Sequence, residues 1–212
     1  MKRVLFLSGW AVDRNRCRPF LSEKTEFFDT TAFLPRLLTG ERLLPAWEDI
    51  VCDSLTPYAS DQTTLIAWSS GAFVALAAAK KLPFHGIRLY SAGQSFLQRP
   101  GLPGTKPQLL ARMKDTIRTD RDQTLKNFYA SAGMAEEPLP GYTEQVLYEG
   151  LCFLEQVYIS DLPEVNTISM ICHGTKDRIL PWRAGKKLAE MLHADFYCPP
   201  VPHFCPAMKN DL

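Results

Sequence analysis

One stretch limits the choice of fold more than any other. Residues 64–81 read TLIAWSSGAFVALAAAKK. An apolar run, Thr64–Trp68, passes through Ser69-Ser70-Gly71 into an alanine-rich segment, Ala72–Lys81. The run suits a buried strand, and the segment after it has strong helix propensity. The chain must therefore turn abruptly from strand to helix at a serine flanked by small residues. Ala67-Trp68-Ser69-Ser70-Gly71 departs from G-x-S-x-G only at its first residue. A serine at such a turn sits in a strained backbone conformation with its neighbours close together, which is why small residues flank it. The turn is expected to lift the Ser69 hydroxyl to the top of the sheet. It also leaves the Ser70 N–H free at a helix N-terminus, where it can stabilise an oxyanion. Alone, these five residues also fit a tight turn whose serine is only an N-cap.

The remaining segments supply the context. Arg3–Leu7 is a continuous apolar strand of the kind covered on both faces of a parallel sheet, and Ser8-Gly9-Trp10-Ala11 is its exit loop. Asp13–Phe20 reads as a short helix and Glu26–Asp29 as a poorly marked strand. Pro45–Tyr58 places Trp47, Ile50, Val51, Leu55 and Tyr58 at helical spacing. Gly86–Tyr90 gives another strand. This alternation argues for a parallel α/β sheet. Beyond Gly93 the pattern changes to a Pro/Gly-rich loop and three helical stretches, Gln108–Arg118, Gln123–Ala132 and Thr143–Ile159. Alternation resumes with a strand at Ile168–Cys172, a helix at Trp182–Leu192 and a last strand at Ala194–Cys198. The expected organisation is an α/β core of residues 1–93 and 165–212, interrupted by a helical cap of residues 94–164.

Ligands of open α/β sheets collect at the carboxyl ends of the strands. There the strand exits carry Gly9-Trp10, Ser69-Ser70, Asp177 and His203. Ser69, Asp177 and His203 follow one another as nucleophile, acid and base. His203 is expected to take the proton of Ser69, while Asp177 fixes the imidazole tautomer and stabilises the imidazolium. The N–H groups of Trp10 and Ser70 are the expected oxyanion hole. Individually, Asp177 could be a solvated loop residue and His203 a satisfied structural histidine; the order and the loops together favour the triad. His85, His173 and His193 are weaker candidates by position.

Composition narrows the class further. The 212 residues carry a formal charge of +1, so nothing global points to nucleic acid or an anionic membrane. Leu65–Ala79 is too short to span a bilayer and is broken by serines. The N-terminal apolar run, Val4–Leu7, is too short for a signal peptide, so a cytoplasmic protein is expected. The six cysteines include no C-x-x-C pair and are expected as free thiols. No ligand spacing suits a metal, and no cofactor is expected.

The segments VLFLSGWAVD, LIAWSSGAFVALAAA, HGTKDRILP and VPHFCP resemble α/β-hydrolases. More narrowly, with the helical stretches GTKPQLLARMKDTIRTDRDQTLKNFYA and LYEGLCFLEQVYISDLPEVNTIS, they resemble the pimeloyl-[acyl-carrier protein] methyl ester esterases of biotin synthesis, the BioH type. The resemblance implies a mostly parallel sheet with helices on both faces and an inserted helical cap. It implies a cofactor-free serine esterase acting through an acyl-enzyme on the methyl ester of pimeloyl-acyl carrier protein. Substrate contacts are then expected at Trp10, Ser70, Phe128, Tyr129, Ala130, Ser131 and Ala132. An acidic carrier protein is the implied partner of a monomeric enzyme. Within the cap, residues 106–126 hold six cations (Lys106, Arg112, Lys114, Arg118, Arg121 and Lys126) against Asp115, Asp120 and Asp122. Of these, Arg112, Arg118, Arg121 and Lys126 are the expected docking residues. A solvated helix face explains the same charges. Two other functions stay open: a general short-chain carboxylesterase or thioesterase, and a non-catalytic binding protein of the same fold. A dehalogenase is disfavoured because position 69 is not a carboxylate.

Overall fold

In a computed structural model, which describes residues 3–18, 21–163 and 167–211, six strands form one all-parallel sheet. The chain runs β1 (Arg3–Leu7), α1 (Arg14–Cys17), β2 (Thr25–Phe28), α2 (Thr30–Phe33), a small hairpin β3 (Leu38–Thr39) and β4 (Arg42–Leu43), α3 (Trp47–Leu55), β5 (Ser60–Trp68) and α4 (Ser70–Ala79). It continues through β6 (Phe84–Tyr90), α5 (Pro107–Thr119), α6 (Arg121–Ala132), α7 (Glu144–Gln156), β7 (Ile168–Cys172), α8 (Trp182–Leu192) and β8 (Asp195–Tyr197). A 3-10 turn at Pro206–Asn210 closes the described chain.

Strand order is β2-β1-β5-β6-β7-β8. The chain leaves β1 towards β2 on one side and later places β5 on the other, so the sheet order reverses beside β1. A crevice opens at such a switch point, between the loops leaving β1 and β5. Those loops carry Trp10 and Ser69.

The core follows from the strand composition. Leu5, Phe6 and Leu7 of β1 and Leu65, Ile66, Ala67 and Trp68 of β5 are fully buried, as expected of strands covered on both faces. Helix α4 is buried all round because every residue from Ser70 to Ala79 is small or apolar. Gly71 sets its approach to β1: a Cβ there would lie 2.5 Å from the Leu7 carbonyl oxygen and 2.7 Å from that of Ser8. Among the described residues no helix is long and apolar enough to cross a membrane. All six cysteines are free.

Several boundaries differ from the sequence expectation. β2 begins one residue earlier than its pattern suggests, and α2 and the β3–β4 hairpin have no counterpart in the apolar periodicity. Helix α7 stops at Gln156 because the following residues pair elsewhere: Tyr158 bridges Ser95, and Ile159 N–H donates to the Gln94 carbonyl at 2.9 Å. α1 ends at Cys17, while the expected end at Phe20 lies outside the described residues, as does the expected cap-to-core boundary at 164–165.

Candidate active site

Ser69 stands between β5 and α4 with φ 56° and ψ −119°, a left-handed conformation that a non-glycine residue adopts only under constraint. The constraint comes from both sides. Ser69 N–H donates to the Tyr90 carbonyl at 3.0 Å, its own carbonyl accepts from Ala72 N–H at 2.9 Å, and Gly71 lets α4 press against β1.

Asp177 and His203 reach the same point from the exits of β7 and β8. His203 Nε2 lies 2.9 Å from Ser69 Oγ, and His203 Nδ1 lies 2.6 Å from Asp177 Oδ2. Both side chains are fully buried. Asp177 Oδ1 accepts the N–H groups of Ile179 at 2.7 Å and Leu180 at 2.9 Å, which fixes the carboxylate plane. Burial alone would raise the Asp177 pKa, but the adjoining His203 charge and hydrogen bonds from His173 and His203 hold it well below the usual carboxylate range. The acid is therefore ionised wherever the site works.

The His203 loop is held mainly through its main chain. The His203 carbonyl accepts from Trp68 Nε1 at 3.1 Å and from Ser91 Oγ at 2.6 Å, and Phe204 N–H donates to the Ala132 carbonyl at 2.8 Å. Gly174 has no room for a side chain against the Val201 carbonyl, so the Asp177 and His203 loops lie backbone to backbone. None of these anchors was legible as functional in sequence: Trp68 reads as a strand residue and Ser91 as a turn residue.

Among the described residues, no acceptor within the fold takes the N–H of Trp10 or Ser70. Both belong to segments converging on Ser69. The Trp10 loop is fastened at four points: Thr30 N–H donates to Ser8 Oγ, Thr31 Oγ1 to the Gly9 carbonyl, Tyr129 Oη to the Ala11 carbonyl at 2.6 Å, and Trp10 Nε1 to the Leu147 carbonyl at 2.9 Å. Helix α7 can approach the indole because position 150 is glycine; a Cβ there would lie 2.5 Å from Trp10 Cδ1.

Ser69 opens into a cavity of about 190 Å³ walled by Trp10, Phe96, Leu110, Met113, Phe128 and Leu154. That volume is below the range of drug-sized sites and suits a short acyl chain. A second groove of about 460 Å³ continues outward between α5 and α6, sharing Leu109, Met113, Phe128 and Ile179 with the inner cavity. Of the residues expected to touch substrate on α6, Phe128 lines both spaces and Ser131 the outer one. Tyr129, Ala130 and Ala132 line neither, because successive helical residues are turned away from one another and only one face of α6 meets the groove. Tyr129 is instead structural, lying under the Arg16 guanidinium with its hydroxyl on Ala11.

The expected docking cations are also unequal. Arg118 pairs with Glu41 and stacks on Tyr148, Lys126 pairs with Glu137, and Arg121 pairs with Asp122 and donates to the Pro140 and Tyr142 carbonyls. Arg112 is exposed beside the outer groove and forms no ion pair among the described residues. Among the described residues no cluster of three or more His, Cys, Asp or Glu side chains could hold a metal.

A serine at a strand-to-helix elbow and a relay from it through histidine to a buried acid, set at one end of a parallel sheet, define a hydrolase of the α/β class. The chain belongs to the alpha/beta hydrolase family, whose model matches residues 4–210. Solved structures agree on the fold. An esterase from Exiguobacterium antarcticum superposes with a TM-score of 0.76 at 16% identity, covering 100% of this chain and 88% of the esterase. A bromoperoxidase from Bacillus anthracis gives 0.72 at 14% identity over 95% and 85% of the two chains. BioG from Haemophilus influenzae gives 0.62 at 12% identity over 98% and 91%. No curated protein matches the sequence.

Proposed function

We propose that this hydrolase is a serine esterase, and that its substrate is the methyl ester of a short acyl chain carried on acyl carrier protein. The observation that carries the esterase reading is the unbroken relay from Ser69 Oγ through His203 to Asp177, opening onto an apolar cavity. Ser69 Oγ attacks the ester carbonyl while its proton passes to His203 Nε2. The developing oxyanion is met by the N–H groups of Trp10 and Ser70, each worth about 3 kcal/mol in the transition state. His203 then gives the proton to the departing alkoxide, leaving an acyl-enzyme. Water, deprotonated by the same imidazole, releases the acid and restores Ser69. Asp177 remains ionised throughout.

Two features support the carrier-bound substrate besides the sequence resemblance. The outer groove offers amide and hydroxyl groups (Thr116, Gln123, Thr124, Asn127) suited to the amide-bearing arm of a carrier, and Arg112 stands beside it for an anionic partner. The implied docking surface for an acidic partner is then centred on Arg112 rather than on Arg118, Arg121 and Lys126. The test compares hydrolysis of methyl pimeloyl–acyl carrier protein and p-nitrophenyl butyrate by wild type, Ser69→Ala and Arg112→Glu. Carrier-ester turnover lost in Ser69→Ala, and reduced in Arg112→Glu while the small ester is still cleaved, supports the full reading. Turnover of the small ester alone favours a general carboxylesterase and discards the carrier.

A further inference from the structure

Asp177 receives two histidines, and the reaction above uses only one. His173, at the exit of β7, is fully buried, with Nε2 3.0 Å from Asp177 Oδ2 and 2.9 Å from the Leu180 carbonyl oxygen. A carbonyl oxygen can only accept, so Nε2 carries a proton and donates it to both oxygens. Nδ1 is buried without a partner among the described residues, so a second proton there would be an unsatisfied buried donor. The ring is therefore neutral and in its Nε2–H tautomer. The space it fills is reserved by Gly185 of α8, where a Cβ would collide with Nδ1 and approach the His173 Cβ to 3.1 Å.

We propose that His173 is a positioning residue for the hydrolytic reaction. By donating to the same carboxylate oxygen that accepts from His203, it fixes that oxygen and limits how strongly Asp177 holds a proton on His203. The inference rests on the Ser69–His203–Asp177 reading. With His173 in place the charge on Oδ2 is divided between two N–H donors. Without it the whole of that charge faces His203, the imidazolium gains stability, and the base is protonated at a higher pH.

Among the described residues, the other charged side chains of the elements packed around the ring are exposed. The α8 face towards the ring holds Ala184, Gly185, Leu188 and Ala189, while Arg183, Lys186, Lys187 and Glu190 are on its exposed side. Lys176 and Arg178, either side of Asp177, are exposed, Arg178 on the wall of the cavity that Ser69 opens into, and both are unchanged in every variant compared. From the Val201–Phe204 side only His203 is titratable. Cys172, the neighbour on β7, faces Cys205 at 3.5 Å; that contact and burial push its thiol up, so it stays neutral.

The test follows the rate at which a fluorophosphonate labels Ser69 across pH in wild type, His173→Leu and His173→Gln. Leucine keeps apolar volume without the donor, whereas glutamine can place an amide N–H near the position of Nε2. In His173→Leu the acid limb of the profile is expected to move up by about half a pH unit or more, with the plateau rate falling about tenfold. His173→Gln should restore most of the shift. A labelled wild type whose acid limb is unmoved in His173→Leu overturns this inference alone; a wild type that is never labelled overturns the triad reading and this inference with it. Histidine 15N spectra of the wild-type protein give a check that needs no variant. His173 should show the Nε2–H tautomer at the pH where labelling is fastest, and an Nδ1–H tautomer there contradicts the proposal.

Discussion

Replacing Gly71 by alanine tests how the elbow is built. The new Cβ would lie 2.5 Å from the Leu7 carbonyl oxygen, 2.7 Å from that of Ser8 and 2.9 Å from the Leu7 carbonyl carbon. These are main-chain atoms of β1 and its exit, and they cannot rotate aside. Ordinary contact requires about 3.5 Å, so α4 and the end of β1 must part by about 1 Å. Overpacking of this kind costs about 1–3 kcal/mol, offset by at most about 1 kcal/mol of helix propensity. A net loss of about 1–2 kcal/mol lowers Tm by about 2–8 °C in a chain of this size. The same displacement separates the Ser70 N–H, on the first turn of α4, from the Trp10 N–H beyond Ser8. A misplacement of about 1 Å at a reacting centre can cost about 100-fold in rate. Gly86→Ala is the control, since a Cβ there meets nothing within 4 Å. Calorimetry and the hydrolysis rate of p-nitrophenyl butyrate should show Gly71→Ala impaired in both and Gly86→Ala in neither. If Gly71→Ala melts and reacts like the wild type, the close approach of α4 to β1 does not shape the oxyanion hole.

Asp177→Asn removes the charge opposite His203 and, with it, the control of the imidazole tautomer; kcat should fall about 1,000- to 10,000-fold with little change in KM, measured on a small ester. The same carboxylate links stability to acid. Its folded pKa lies below the ordinary value of 3.8, so its contribution is present above about pH 4 and is lost as pH falls further. The gap in urea midpoint between wild type and Asp177→Asn should therefore narrow below pH 4, and a gap that stays constant would contradict the linkage. Arg16→Met should loosen the segment between α6 and α7, because the guanidinium donates to the carbonyls of Ala135, Glu136 and Pro138 and lies over Tyr129. A loss of about 2 kcal/mol and faster amide exchange at residues 133–142 are expected.

What could be read in the sequence was whatever is encoded locally. The β5–α4 unit carries its own instructions: an apolar run, a small-residue turn and an alanine-rich helix, each dictated by neighbouring residues. The strand exits bearing Ser69, Asp177 and His203 were legible for the same reason, since a parallel sheet places all its exits at one end. Features that depend on distant partners were not. β2 was faint because it is an edge strand paired only with β1, and much of it is half-exposed. α7 ends at Gln156 because residues 158–159 pair with 94–95, an event no periodicity within 143–159 records. His173 looked like an ordinary loop histidine because its contact with Asp177 depends on the missing side chain of Gly185, on another element. In the helical insertion, a run of neighbours from Phe128 to Ala132 could not all face substrate; packing selects Phe128 for the cavity and assigns Tyr129 to the scaffold.

The central claim is that Ser69 is a nucleophile activated by His203 and Asp177. Reaction of the folded protein with a fluorophosphonate, followed by mass spectrometry of its peptides, addresses it directly. The account predicts a single stoichiometric adduct on Ser69, absent from Ser69→Ala and formed far more slowly by Asp177→Asn. A folded wild-type protein that carries no adduct, or carries it on a residue other than Ser69, contradicts it.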